Sequence, residues 1–374
     1  MVWAHAASVG EQQVLEPVLA RLTRARPDLR VVLSHTSPSV AHTIPPAAVC
    51  HRDYLPWDTP APIAWALDAV RPSLLLFGRG DLWPELVRAA GARGIPIAVV
   101  GATVRPGSAR LWAPARRALR ATHRAVAWLG AVTPADAGRW RRLGVPSDRI
   151  TVTGDPRHDR LLERVANPAP AGTVRTWAEG RPVLVAGSVE PEDDAVLAPA
   201  LARVAGTGPD LRAVIVPHVP SETRIGRIKR ALTSHGLTAE IWRGPPEVIA
   251  PATPVLIVGA HGLLADLYLG ADLAYVGGGF RRERLHSVAE AAVVGLPVIV
   301  GPLWDGAADA EPLVTSGGAL VLRADDATTA LASAMSRLAS HPDERSNRGL
   351  AARATLTAGA SGTTADALLG LLGH

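Results

Sequence analysis

Several short stretches place reactive side chains beside small residues. In His5-Ala-Ala-Ser-Val-Gly-Glu11 an apolar run ends, Gly10 permits a tight turn, and a carboxylate opens the next segment. A carboxylate there can serve as general base on a substrate hydroxyl, or merely complement a helix dipole. Tyr54-Leu-Pro-Trp-Asp58 and Asp81-Leu-Trp-Pro84 each combine an acid with Trp and Pro. Pro84 reads as a helix start with Asp81 as its N-terminal cap, and either segment alone reads equally as a turn anchored by its Trp. Ala186-Gly187-Ser188 offers backbone amides that could cradle a phosphate, without the spacing of a P-loop or of GxGxxG. Gly277-Gly278-Gly279 lets another group approach the backbone closely. His286 and Glu290 follow, four apart and so expected on one helix face. Glu290 suits the two hydroxyls of a ribose, or the two residues form an ordinary surface pair. As zinc ligands they lack a third partner at a recognised spacing, so no metal is expected.

The elements that must position these groups are legible as alternating patterns. Apolar runs at Val2–His5, Val31–Ser34, Leu74–Phe77, Ile97–Val100 and Ala125–Leu129 read as strands, with helical stretches at Glu11–Ala25, Pro62–Val70 and Trp83–Ala92. A second series runs Val183–Ala186, Ala213–Pro217, Val255–Val258, Leu273–Val276, Val298–Gly301 and Ala319–Leu322. Its helices fall near Glu192–Val204, Glu222–His235, Leu263–Leu269 and Ser287–Val294. Strands alternating with helices predict parallel sheets built from right-handed crossovers. Asn167-Pro-Ala-Pro-Ala-Gly172 reads as a linker. The expected organisation is an α/β chain with two doubly wound, Rossmann-like domains, residues 1–166 and 177–374, joined by 167–176.

Composition narrows the classes. The chain has 374 residues, 48% hydrophobic and 20% charged, which supports about two globular domains. A single cysteine, Cys50, excludes an internal disulfide framework and a cysteine-based zinc site. No apolar run is long enough to span a bilayer, and no signal peptide opens the chain, which predicts a cytoplasmic, soluble or peripheral protein. Charge is +5, from 39 basic and 34 acidic residues, with Lys229 the single lysine. Arg110, Arg116, Arg117, Arg120 and Arg124 crowd one stretch beside Trp112, suiting anionic headgroups or phosphates, or simply a solvated helix face. No nucleic-acid motif accompanies them, so no nucleic-acid partner is expected.

Together these segments resemble the 3-deoxy-D-manno-octulosonic acid (Kdo) transferases of lipopolysaccharide synthesis. His5 to Glu11 matches that family's HAASVGE without change. Tyr54 to Asp58 looks like its YLPxD, and Asp81 to Pro84 like the end of its ETELWP. Thr153-Gly-Asp-Pro-Arg-His-Asp159 is similar to TGNxKFD, and Tyr268 to Gly278 to LYxxADxxFVGG. His286 to Glu290 takes the place of HNPLE, and Gly301-Pro302 corresponds to the start of GPH. The resemblance spans Trp3 to about Ala324. It implies a GT-B glycosyltransferase, inverting and metal-independent, moving Kdo from CMP-Kdo to a lipid A-type acceptor at the cytoplasmic face of the inner membrane.

By position, the resemblance implies Glu11 as acceptor base, with Asp81 and Arg157 among the charged groups around the transition state. It places the donor nucleotide at Ser188, Pro217, His218, His261, Gly262, Leu263, Gly277, Gly278, His286, Ser287 and Glu290. Arg110, Arg116, Arg117 and Arg120 are the expected acceptor- and membrane-facing patch. The last helix of the second domain is expected to pack back on the first. The sequence also departs from the family pattern. PRHPER becomes Pro217-His-Val-Pro-Ser-Glu222, putting His218 where a permanent cation is expected, and MGEL becomes His261-Gly-Leu-Leu264. Ser287 replaces the asparagine of HNPLE, Arg79 the first glutamate of ETELWP, and Leu303 the histidine of GPH. Two other functions remain open: a GT-B transferase for another nucleotide sugar, and a catalytically silent paralogue that binds lipid or protein partners.

Overall fold

The computed structural model describes residues 1–373 except 42, 44, 47–48, 167–171, 246–248, 250–251, 283–284, 306 and 308. The chain forms two units, one of Met1–Arg160 with Thr357–His374, the other of Leu161–Leu356.

The first unit holds seven parallel strands: β1 (Val2–His5), β2 (Val31–His35), β3 (Val49–Tyr54), β4 (Leu74–Gly78), β5 (Ile97–Ala102), β6 (Trp128–Ala131) and β7 (Ile150–Val152). Their order is β3-β2-β1-β4-β5-β6-β7, every pairing parallel. Helices cover both faces, so β1, β4 and β5 are buried throughout and read as continuous apolar runs. Trp3, Ile63, Leu67, Leu86, Val99 and Trp140 pack one face. The other receives Val14, Leu15, Val18 and Leu22 from helix α1 (Val9–Ala25), together with Ala365 and Leu368 from the last helix, Ala360–Leu372. Asp159 fastens that last helix, accepting from the Gly359 and Ser361 amides, each at 2.6 Å, and from the Ser361 hydroxyl.

The second unit has another seven-stranded parallel sheet, β8 (Val183–Val189), β9 (Arg212–Pro217), β10 (Ala239–Trp242), β11 (Val255–Val258), β12 (Leu273–Val276), β13 (Val298–Val300) and β14 (Ala319–Val321). The order is β10-β11-β9-β8-β12-β13-β14. Alternation along β8 sends Val183 and Val185 into one core layer and Leu184 and Ala186 into the other. The order of strands reverses between β1 and β4 in the first sheet and between β8 and β12 in the second, where β11 also turns back to lie between β10 and β9. The carboxyl ends there are the expected ligand positions.

Three differences from the sequence reading have plain causes. The strands β3, β7 and β10 lie at or next to sheet edges, carry mixed exposed residues and so lack an apolar run. The strand expected over Ala125–Leu129 begins only at Trp128, because the helix Arg120–Arg124 occupies the chain just before it. Of the expected linker, residues 167–171 lie outside the described residues. Gly172–Ala178 is a helix whose Val174 and Trp177 enter the core of the second unit, and the division between units follows Arg160.

Candidate active site

At the β1/β4 reversal, Ser8 caps α1 and Glu11 stands in its first turn. Gly78 ends β4 beside it: a side-chain carbon there would lie 3.2 Å from both the Glu11 Cβ and the Glu11 carbonyl oxygen, so glycine lets the helix start close on the strand. Glu11 is 9% exposed. Among the described residues its carboxylate has one hydrogen-bond partner, the Ala7 amide, which donates to Oε2 at 2.6 Å. Burial, reinforced by the nearby Asp81 charge, pushes the Glu11 carboxyl up to about 7, against the opposing pull of the Ala7 amide, Arg79 and Arg110. A carboxylate poised near neutrality, with one oxygen pinned and guanidiniums near, suits proton abstraction from a hydroxyl.

The groups around Glu11 are held in place by a buried polar network. Trp3 Nε1 donates to Ser34 Oγ at 2.8 Å, and Trp83 Nε1 donates to His5 Nε2 at 3.1 Å. An indole only donates, so Nε2 of His5 is an acceptor and Nδ1 carries the proton it gives to Ser34 Oγ at 2.9 Å. Burial first, then the His35 charge, lowers His5 to about 4 and keeps it neutral. Arg79 follows β4 with φ of 57°, a left-handed conformation unusual for a bulky residue, and its side chain reaches Asp155 at 3.4 Å.

Asp81 is exposed and does not cap the following helix, Pro84–Ala92. Asp58 does so from a distance in sequence, accepting from the Glu85 amide at 3.1 Å and the Leu86 amide at 2.9 Å. The two Trp-bearing motifs are thus parts of one structure. Arg157 is committed to Asp155 through paired bonds of 3.0 Å and 2.7 Å. Burial alone would raise the Asp155 carboxyl, but Arg157 and Arg79 overcome it and hold Asp155 well below the usual range. Arg79 and Arg110 are cations whose charge favours the ionised form of Glu11. Arg110 leaves the expected surface patch: it donates to the Gly80 carbonyl at 2.8 Å and lies over the Trp140 ring. Arg117 and Arg120 are exposed and Arg116 is half-buried, and Trp112, Trp57 and Trp65 are exposed at 69%, 86% and 73%.

At the β8/β12 reversal the central group is Asp193, fully buried and absent from the sequence-based candidates. It accepts from the Tyr275 hydroxyl at 2.6 Å, the Gly278 amide at 2.9 Å and the Glu190 amide at 2.7 Å. Gly277 is required here, since a Cβ would stand 2.5 Å from the Ser188 carbonyl and 2.8 Å from Asp193 Oδ2. Gly187 serves packing, facing the Tyr268 hydroxyl. His286 is not on a helix with Glu290; the helix spans Ala289–Val294, and the His286 amide donates to the Gly277 carbonyl. Its ring stacks on His218 at 4.1 Å and meets Glu190 at 3.1 Å. Pro217 and Ser188 flank that group at the ends of β9 and β8. Ser287 donates to Asp309 at 2.8 Å. His261 and Gly262 lie in the exposed turn after β11, Leu263 packs against the core, and Glu290 borders a small crevice with Leu161 and Arg164. The structure gathers His218, His286, Gly277 and Gly278; His261, Leu263 and Glu290 are placed on other segments of the same unit.

Two Rossmann-type units, each with a polar group at its strand reversal, define a GT-B glycosyltransferase fold. Solved structures agree in fold: UDP-GlcNAc 2-epimerase from Neisseria meningitidis has a TM-score of 0.68 at 16% identity, covering 99% of each chain. MurG of Acinetobacter baumannii has a TM-score of 0.62 at 15% identity, again covering 99% of each. The model of the 3-deoxy-D-manno-octulosonic-acid transferase (kdotransferase) family matches residues 1–160. The Kdo transferase of Bordetella pertussis is 32% identical over all of this chain and 87% of its own length, and that of Chlamydophila psittaci 28% identical over 92% and 78%. The chain belongs to the Kdo transferase family and is a glycosyltransferase.

Proposed function

We propose that the protein transfers Kdo from CMP-Kdo to a lipid A precursor with inversion at the anomeric carbon. The observation that carries this reading is Glu11: a nearly buried carboxyl pushed up to about 7, beside Arg79 and Arg110, at the reversal of the first sheet. Glu11 takes the proton of the acceptor hydroxyl as its oxygen bonds to the anomeric carbon and the bond to the CMP phosphate breaks, so CMP leaves with the bonding electrons. Guanidiniums supply preorganised positive charge around this step, and no metal is needed at Glu11. The donor nucleotide is assigned to the second unit, around Ser188, Pro217, His218, Gly277, Gly278, His286 and Ser287. A poised base of this kind argues against a silent paralogue. His218 and the core-packed Leu263 favour another nucleotide sugar as the second reading.

Association with the cytoplasmic face of the inner membrane is part of the proposal. None of the described helices is long and apolar enough to cross a membrane. Exposed Trp112, with Arg116, Arg117 and Arg120 in the same stretch of chain, fits an interfacial surface for anionic lipid. The test is transfer of Kdo to a lipid A precursor, with CMP, UDP and GDP binding followed by thermal stabilisation. CMP-selective stabilisation and product formation abolished in Glu11→Gln are expected; stabilisation by UDP or GDP instead would overturn the donor assignment. Flotation with anionic liposomes is expected to weaken when Arg117 and Arg120 are replaced by Ala; unchanged flotation overturns the membrane surface.

A further inference from the structure

We propose that Glu190, His218 and His286 form a binding site for a zinc-class divalent cation, held by two imidazole nitrogens and one carboxylate oxygen. The three ligand atoms lie within 4.8 Å of one another, and the Glu190 oxygen is 3.1 Å from His286 Nε2. Zinc bonds of about 2.0–2.2 Å to nitrogen and oxygen place neighbouring ligands a little over 3 Å apart. One of the three pairs already stands near that spacing, and the other two lie within 4.8 Å.

The ligands come from three segments whose backbones are pinned together. Glu190 follows β8, and its amide donates to Asp193 at 2.7 Å. His218 follows β9, and its amide donates to the Val189 carbonyl at 3.2 Å. His286 donates its amide to the Gly277 carbonyl just beyond β12, also at 3.2 Å. Asp193 ties these segments further through Tyr275 and Gly278. A site whose ligands are positioned by a buried outer network needs little reorganisation to take an ion. The three side chains bring two imidazole nitrogens and a carboxylate oxygen within 4.8 Å of one another, a donor set suited to zinc and its neighbours rather than to magnesium or calcium.

Three protein ligands leave a coordination position open. Beside Glu190 lies a cavity of about 110 Å³ lined also by Pro191, Glu192, Gly278 and Arg281, large enough for a water or an anionic oxygen. His218 stands where the resemblance calls for a permanent cation, and a bound ion would restore fixed positive charge at that point for a donor phosphate. That use rests on the donor reading above; the existence of the site does not.

The test is titration of chelator-treated protein with Co²⁺, followed by visible ligand-field absorption and then displacement by Zn²⁺. One equivalent of tightly held Co²⁺, displaced by Zn²⁺, is expected. His218→Ala and Glu190→Gln should each weaken binding by more than the roughly 10- to 100-fold lost when an outer partner of a metal site is removed. His218 is exposed, so its variant should keep the wild-type melting temperature in chelator, which separates a lost ligand from a lost fold. Absence of Co²⁺ absorption, or unchanged affinity in both variants, would overturn the proposal and leave His286 and Glu190 as a hydrogen-bonded pair. CMP stabilisation measured both with Zn²⁺ and in chelator reports the donor reading separately: its absence in both, alongside intact Co²⁺ binding, would remove that reading and leave the site standing.

Discussion

Each sheet places a buried carboxylate at its strand reversal, yet Glu11 and Asp193 are built for opposite tasks. Asp193 accepts three hydrogen bonds and braces the Tyr275 hydroxyl and the Glu190 and Gly278 amides. Glu11 accepts from one amide and keeps carboxylate surface for a substrate proton. Burial raises the proton affinity of both. A buried carboxylate becomes a brace when donors fill its lone pairs and a base when they do not.

The contrast breaks most sharply on rate. Glu11→Gln should reduce transfer by about a thousandfold while nucleotide binding is unchanged; near-normal turnover would remove Glu11 from the chemistry. Asp193→Ala should instead act on stability, costing about 3 kcal/mol or more by stranding two amides and a hydroxyl. Denaturant unfolding measures this, and the contrast fails if Glu11→Gln destabilises as much. The Glu11 carboxyl is raised in the folded state from an ordinary 4.5 to about 7. Its penalty is therefore absent below the lower value, grows between the two and is complete above about 7. Glu11→Gln should thus gain up to about 3 kcal/mol at pH 8 and nothing near pH 4.

Asp58 sharpens the comparison as a carboxylate with a purely structural position. Asp58→Ala should cost about 1 kcal/mol and leave the pH profile of transfer in place; a displaced profile would give Asp58 a share in the chemistry. The smallest effect belongs to Asp81. The rate should rise with pH through about 7 as Glu11 ionises. Asp81→Asn removes a neighbouring negative charge and should move that limb to lower pH by a fraction of a unit. A limb that stays put would show that burial alone sets Glu11.

The sequence made the central strands legible because both faces of each sheet are covered, so β11 and β12 read as unbroken apolar runs with their observed limits. Edge strands such as Val49–Tyr54 carry mostly exposed residues, polar ones among them, and offered no such run. Glu11 was visible because a strand, a glycine and a helix start surround it within a few positions. Asp193 was hidden in Glu190-Pro-Glu-Asp-Asp194, which reads as an acidic helix start; its partner Tyr275 is 82 residues away. The role of Asp58 was likewise long-range, since its acceptor oxygens serve amides 27 and 28 positions later.

The return of Ala360–Leu372 to the first unit imposes an order on synthesis. The apolar face of α1 is made before the whole second unit, while Ala365 and Leu368, which complete its cover, are made after it. Asp159 likewise waits for Gly359 and Ser361. The usual expectation that the amino-terminal domain finishes first is therefore inverted. The intervening unit can fold on the ribosome as soon as Leu356 emerges, whereas the unit carrying Glu11 closes only after Ala360–Leu372 has followed it.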